Sequence, residues 1–152
     1  MDGNVRRLNI GAGNFCLGED GINHDLRKHR EEIDITFDLN KFPYPLKDND
    51  YDFIRAYDVL EHLDNIIPVM DEFWRILKPN CEIELKLCGK DNPNRYKDVT
   101  HTGRFFDEDS LDLFDPDTER GKELSYYTDK KWRIVWKRMH RDNVIMRLIP
   151  RK

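Results

Sequence analysis

The chain has 152 residues, a length that suits one packed domain spanning 1–152. Hydrophobic residues at 38% and aromatics at 11% suffice for an interior, while 37% charged residues imply a heavily solvated surface with ion-pair networks, and a net charge of −4 argues against nucleic acid as the main partner. No apolar run nears the roughly 18 residues of a membrane span, and the cysteines Cys16, Cys81 and Cys88 form no CxxC pair and hence no structural zinc site; their odd number, with no secretory signal in view, is expected of a reducing, cytoplasmic setting.

Arg7-Leu8-Asn9-Ile10 reads as a short strand running into Gly11-Ala12-Gly13, where glycines let the backbone turn tightly and approach a ligand. Ile22 to Asp25 reads as a second strand, and the charged stretch Leu26 to Glu32 as one or two helical turns. The alternation of Ile33 to Phe37 predicts a third strand, followed by a loop that the prolines of Phe42-Pro43-Tyr44-Pro45 keep extended. Tyr51 to Ala56 is the fourth strand. Asp64 or Asn65 caps a helix reaching Lys78, with Ile66, Ile67, Met70, Phe73, Trp74 and Leu77 as its buried stripe; Pro79 ends it and Asn80 takes the left-handed cap. Glu82 to Leu87 is the fifth strand. Asp107 caps a short helix through Leu111 and Phe114, and Trp132–Met139 with Val144–Ile149 forms a closing hairpin about an Asp142-Asn143 turn. Alternation of this kind implies an α/β fold with a mainly parallel sheet, which binds ligands beyond the carboxyl ends of its strands.

Those strand ends carry the chemistry. The first delivers Gly11-Ala12-Gly13, the second Asp25, the third Asp38, and the fourth is followed by Val59-Leu60-Glu61-His62-Leu63. Each residue has a plain structural duty open to it as well: a tight turn for the glycines, a helix cap for Asp25, a turn for Asp38, packing or capping for His62. The basic residues Lys130, Lys131, Arg133, Lys137, Arg138 and Arg141 fit the solvated face of a hairpin.

In order and spacing, Leu8–Asn14, Phe37–Pro45, Val59–Leu63, Phe73–Pro79 and Asp98-Val99-Thr100-His101 with Phe105-Phe106 resemble the small class I S-adenosylmethionine-dependent methyltransferases of the type 11 kind, over about Leu8 to Phe114. The resemblance implies a doubly wound, Rossmann-like, seven-stranded, mainly parallel sheet closed by an antiparallel hairpin. It implies S-adenosylmethionine as cofactor, with Gly11, Ala12 and Gly13 against its methionine portion, Asp25 forking the ribose hydroxyls, Asp38 and the Leu39 N–H at the adenine edge, and Ala56 and Tyr57 alongside. No metal site is expected. The acceptor, expected to be a small molecule, would approach the segment Tyr96 to Phe106, where His101 is the first candidate for a proton acceptor and His62 the second.

Two departures bear on activity. Asn9 and Phe15 stand where the commoner glycine loop has an acidic residue and a third glycine, and Gly13 to Asp25 is too short for a full helix. Shortened first helices leave the cofactor site open, so that a partner, a second copy in a homodimer included, could supply a wall. A non-catalytic S-adenosylmethionine-binding or scaffold protein that keeps the fold is therefore the alternative function. A nicotinamide enzyme is disfavoured because Cys16 occupies the third glycine of GxGxxG, and a nucleic-acid amino-methyltransferase because no Asn/Asp-Pro-Pro-aromatic tetrad follows the loop.

Overall fold

The computed structural model describes residues 5–152; residues 1–4 of the expected domain lie outside it. Seven strands form one sheet: β1 (Arg7–Ile10), β2 (Gly21–Asp25), β3 (Ile35–Thr36), β4 (Tyr51–Tyr57), β5 (Leu77–Cys88), β6 (Trp132–His140) and β7 (Asn143–Pro150). Their spatial order is β3-β2-β1-β4-β5-β7-β6. The pairs from β3 to β5 are parallel, and β7 runs antiparallel between β5 and β6. The winding reverses between β1 and β4, the place where such sheets open a crevice at their carboxyl edge.

The long helix forms where its stripe predicts. α1 spans Ile66–Ile76, and the Asn65 side chain accepts the Ile67 N–H at 3.1 Å as its cap. It stops before Lys78 because Leu77 turns extended and pairs with Tyr51 on β4. Pro79 therefore lies beyond the helix, and Asn80, left-handed at φ 62°, sits where residues 78–81 bulge out of the β4–β5 ladder. β3 is cut to two residues, although Ile33 is fully buried as the alternation requires. The hairpin turn is Arg141-Asp142, one residue earlier than expected, with Arg141 at φ 53°. The helix expected from Asp107 is replaced by turns and a 3-10 turn over Asp112–Phe114: Asp107 accepts the Asp109 N–H and the Ser110 hydroxyl, but the Ser110, Asp112 and Phe114 N–H groups each bond back three residues, not four; Leu111 and Phe114 still anchor the segment in the core. Two short helices complete the chain, α2 (Asn94–Lys97) and α3 (Glu119–Glu123).

The shortening of the first helices goes to its limit. Residues 11–20 and 26–34, which connect β1 to β2 and β2 to β3, hold turns and no helix. Parallel crossovers with helices need a dozen or more residues, and these two are shorter. The consequence is a sheet with unlike faces. Leu8, Ile10, Ile54, Ala56, Ile83, Leu85, Met146 and Leu148 alternate onto one face and form a core with Val69, Met70, Phe73 and Ile76 of α1. The other face carries a row of aligned residues across six strands: Asn23, Asn9, Arg55, Glu84, Arg147 and Trp136. Arg55 Nε donates to Asn9 Oδ1 at 3.0 Å, Arg147 Nε to Glu84 Oε2 at 2.6 Å, and the Arg147 guanidinium lies over the Trp136 ring. Polar alternation of this sort is usual for antiparallel sheets with one wet face; here it extends over the parallel strands, where Asn9 and Asn23 are buried and bonded to Phe15 and Leu17 of the β1–β2 connection.

Candidate functional site

Four strand ends and two later loops surround a cavity of about 410 Å³ at the carboxyl edge of the sheet. That is the size of an ordinary small-molecule site. Its walls include Gly11, His24, Asp25, Asp38, Leu39, Asp58, Val59, His62 and Thr100. The structure thus brings Gly11, Asp25, Asp38, Leu39 and His62 together.

The glycine loop is required by its geometry at Gly11. That residue is left-handed at φ 61°, and a Cβ on it would stand 2.5 Å from Val59 Cγ2. Its N–H points at His24 Nδ1, 3.3 Å away, and His24 Nε2 donates to the Phe37 carbonyl at 2.9 Å, an arrangement that needs the neutral ring. Burial holds the His24 pKa below its ordinary value, against the opposing pull of the Phe37 carbonyl and Asp25. Gly13 is not in the cavity wall itself; its N–H donates to Asp25 Oδ2 at 2.8 Å, while the Leu26 N–H donates to Asp25 Oδ1 at 2.7 Å. Asp25 therefore also pins the glycine loop to the end of β2.

At the far wall, Asp38 Oδ1 accepts the Asn40 N–H at 2.9 Å, which is the turn duty, and Oδ2 is left over. The Leu39 N–H donates to no group among the described residues. A carboxylate oxygen beside a free N–H is a donor–acceptor pair of the kind a heteroaromatic edge with an amino group and a ring nitrogen would meet.

Ala56 and Tyr57 do not line this cavity. β4 runs one residue further than expected, to Tyr57, because Tyr57 pairs with Lys86, and the residues that reach the wall are Asp58, left-handed at φ 55°, and Val59. Ala56 packs into the core. Tyr57 lines a neighbouring cavity of about 160 Å³ with Asn9, Ala12, Phe15, Arg55 and Lys86, and the two cavities share Gly11 and Asp58.

On the acceptor side, His62 lies in the wall and His101 behind it. The two rings meet edge-to-face with centroids 4.6 Å apart. The Thr100 hydroxyl donates to Asp98 Oδ1 at 2.6 Å and lies 2.9 Å from His62 Nδ1. The loop is tied down by Thr102, whose N–H and hydroxyl both donate to the Glu61 carbonyl, at 3.0 and 3.1 Å. Beneath it, burial, with the Asp58 carboxylate adding to it, pushes the Glu61 carboxyl up to about 7.

Sequence reasoning passed over His24, which faces the cavity and holds two backbone groups. The signal was present: a histidine at the penultimate position of a strand that ends beside a glycine loop. It also passed over Asp58, whose left-handed backbone leaves no mark in residue type.

Residues 20–83 match the family described as Methyltransferase domain, of type 11. The match spans β2 to the first half of β5 and starts just after the glycine loop. Solved structures agree over nearly the whole chain. A methyltransferase dependent on S-adenosylmethionine from Archaeoglobus fulgidus superposes with a TM-score of 0.66 at 15% identity, over 97% of this chain and 86% of that one. Another from Aquifex aeolicus gives 0.63 at 15%, over 97% and 82%. The chain has the fold of the class I S-adenosylmethionine-dependent methyltransferases. A chain of the Haloferax volcanii complex between the Trm112 methyltransferase activator and a methyltransferase gives 0.67 at 8% identity, over 98% and 84%. No curated protein matches the chain in sequence. Among the described residues no helix is long and apolar enough to cross a membrane.

Proposed function

We propose that the whole chain works as one S-adenosylmethionine-dependent methyltransferase domain, with the cofactor in the cavity at the sheet's carboxyl edge and a small-molecule acceptor entering beside His62. The observation that carries this is the pairing, in one cavity, of the spare Asp38 oxygen and free Leu39 N–H at one wall with His62 and Thr100 at another. In this proposal Gly11, Ala12 and Gly13 shape the methionine end, with Tyr57 and Ala56 at the end of β4 behind them. Asp25 accepts the ribose hydroxyls with the lone pairs its two backbone bonds leave free, and Asp38 with Leu39 holds the adenine edge.

When bound, the cofactor supplies an electrophilic methyl group on a positively charged sulfur. The chain's own task is alignment, which alone can supply a large part of a methyl-transfer barrier. His24 contributes by fixing Gly11, and Val59 by filling the space a side chain there would take. In this proposal His62, which lines the cavity, meets the acceptor directly, and His101, whose ring packs edge-to-face against it, supports it. A reducing, cytoplasmic setting suits its free cysteines.

Thermal unfolding with added ligands tests the proposal. S-adenosylhomocysteine should raise Tm, with a stabilisation that grows with the logarithm of its concentration and reaches about 2.7 kcal/mol at a hundredfold excess over Kd, and NAD should not. No shift with S-adenosylhomocysteine at millimolar concentration would overturn it. The missing helices favour a second reading, a binding or scaffold protein, which binding without turnover on any acceptor would support.

A further inference from the structure

Behind the cavity wall, His62, Asp98 and His101 bring two imidazole nitrogens and a carboxylate oxygen within 4.8 Å of one another. The residues come from two segments that the chain clamps together, the turn Leu60–His62 and the loop after α2, through the paired Thr102 bonds to the Glu61 carbonyl. The His101 side chain is only 6% exposed, yet neither ring nitrogen makes a hydrogen bond among the described residues, and Nδ1 is wholly shielded from solvent. With no hydrogen bond to a protein group, Nε2 keeps its lone pair free for an ion, whereas the shielded Nδ1 is not the atom that faces Asp98 and takes no part. His101 Nε2 faces Asp98 Oδ2 at 3.7 Å. That is too long for a hydrogen bond. It is close to the separation of about 3.3 Å expected between two ligand atoms bound at about 2.05 Å to one tetrahedral ion. The Thr100 hydroxyl, joined to both Asp98 and His62, fixes those two side chains as outer-shell groups fix metal ligands.

We infer that His62, Asp98 and His101 bind a divalent transition cation of the zinc class at the rim of the cavity. Two neutral imidazoles and one carboxylate are the donor set of an open site, with the remaining coordination left for water or another ligand. His62 belongs to the cavity wall, so an ion held by it would adjoin the side proposed for the acceptor. A hydroxyl-bearing acceptor bound there would lose its proton more readily, as a zinc-bound water does. This role in transfer rests on the methyltransferase proposal; the binding of the ion does not. It also replaces the expectation from sequence that the chain holds no metal site.

The test uses the full chain without an affinity tag, stripped with a chelator and titrated with Zn²⁺ and Co²⁺ in the absence of cofactor. One ion per chain should bind at micromolar concentration and raise Tm. Co²⁺ should show visible d–d absorption without a near-ultraviolet thiolate band, which excludes Cys16, Cys81 and Cys88 as ligands. Asp98→Asn and His101→Gln should each weaken Zn²⁺ at least tenfold. Asp98 is half exposed, so its variant keeps the fold and remains a valid probe where His101→Gln does not. The inference is overturned by no stoichiometric binding, by a thiolate band, or by unchanged affinity in Asp98→Asn. Any of these results leaves S-adenosylhomocysteine binding to stand or fall separately.

Discussion

The two halves of the sheet are held together by different physics. From β4 to β6 the cohesion is apolar: Phe73, Met70 and Ile76 of α1 lie fully buried against Ile54, Ile83, Leu85 and Met146. From β1 to β3 no helix covers the connections; Leu8 and Ile10 of β1 join the same apolar core, but the loops are held by side chains bonded mostly to backbone. Asn23 accepts from Asn9 Nδ2 at 3.1 Å and from the Leu17 N–H at 2.7 Å, and donates to the Leu17 carbonyl at 3.0 Å; Asp34 Oδ2 accepts the Asn23 N–H at 2.7 Å. His24 and Asp25 hold the glycine loop in the same way. The comparison teaches that a short chain can dispense with two crossover helices if buried amides and carboxylates take over the fixing of its loops. The cavity walls come mostly from this polar half, so its hydrogen bonds bear on both stability and the geometry of the cavity.

The largest effect should come from breaking the apolar half. Phe73→Ala removes a fully buried ring and should cost about 3–5 kcal/mol, read by denaturant unfolding, with S-adenosylhomocysteine affinity of the folded fraction nearly unchanged. A variant that stays stable would mean that the apolar core is not what holds this half.

Asn23→Ala strikes the polar half. It strands buried groups of Asn9 and Leu17 and should cost about 1–3 kcal/mol. Unlike Phe73→Ala, it should also weaken S-adenosylhomocysteine, because the strand beside the glycine loop loses its anchor. Equal loss of stability with full affinity would separate the network from the site.

The smallest effect is one of pH. His24 is held neutral by burial, so its folded pKa lies below the ordinary 6.5 of the unfolded chain. Stability from this residue is complete above that value and falls as the pH drops below it, since only the unfolded state gains the proton readily. Asp25, beside the ring, and the Phe37 carbonyl oppose this shift, which narrows the window. His24→Gln should flatten that part of the stability–pH curve; an identical slope in the variant would show that other groups cause it.

Much of this architecture was legible in the residues. The stripe from Ile66 to Leu77 and the Asn65 cap gave away α1, and the alternation of Trp132–Ile149 its hairpin. The doubly wound, mainly parallel sheet followed from resemblance, but the spatial order of its strands did not, since short parallel strands carry no mark of their neighbours. Asp38 and Gly11 were legible because a turn carboxylate and a left-handed glycine have type signatures. The tethering roles of Asn9, Asn23 and His24 were not, because their partners are backbone groups with no identity in sequence. The collapse of the expected helix at Asp107 was equally hidden, since a cap and an Asx turn begin with the same residue.

The central claim, that the polar half builds a cofactor site, is tested most directly by calorimetric titration of S-adenosylhomocysteine into the wild-type chain and Asp38→Ala. The account predicts one ligand per wild-type chain and an affinity lower by about 1.5–3 kcal/mol in the variant, the worth of hydrogen bonds to a charged group, with little change in Tm beyond the lost turn bond to Asn40. No heat of binding in the wild type, or equal affinity in both proteins, would contradict it.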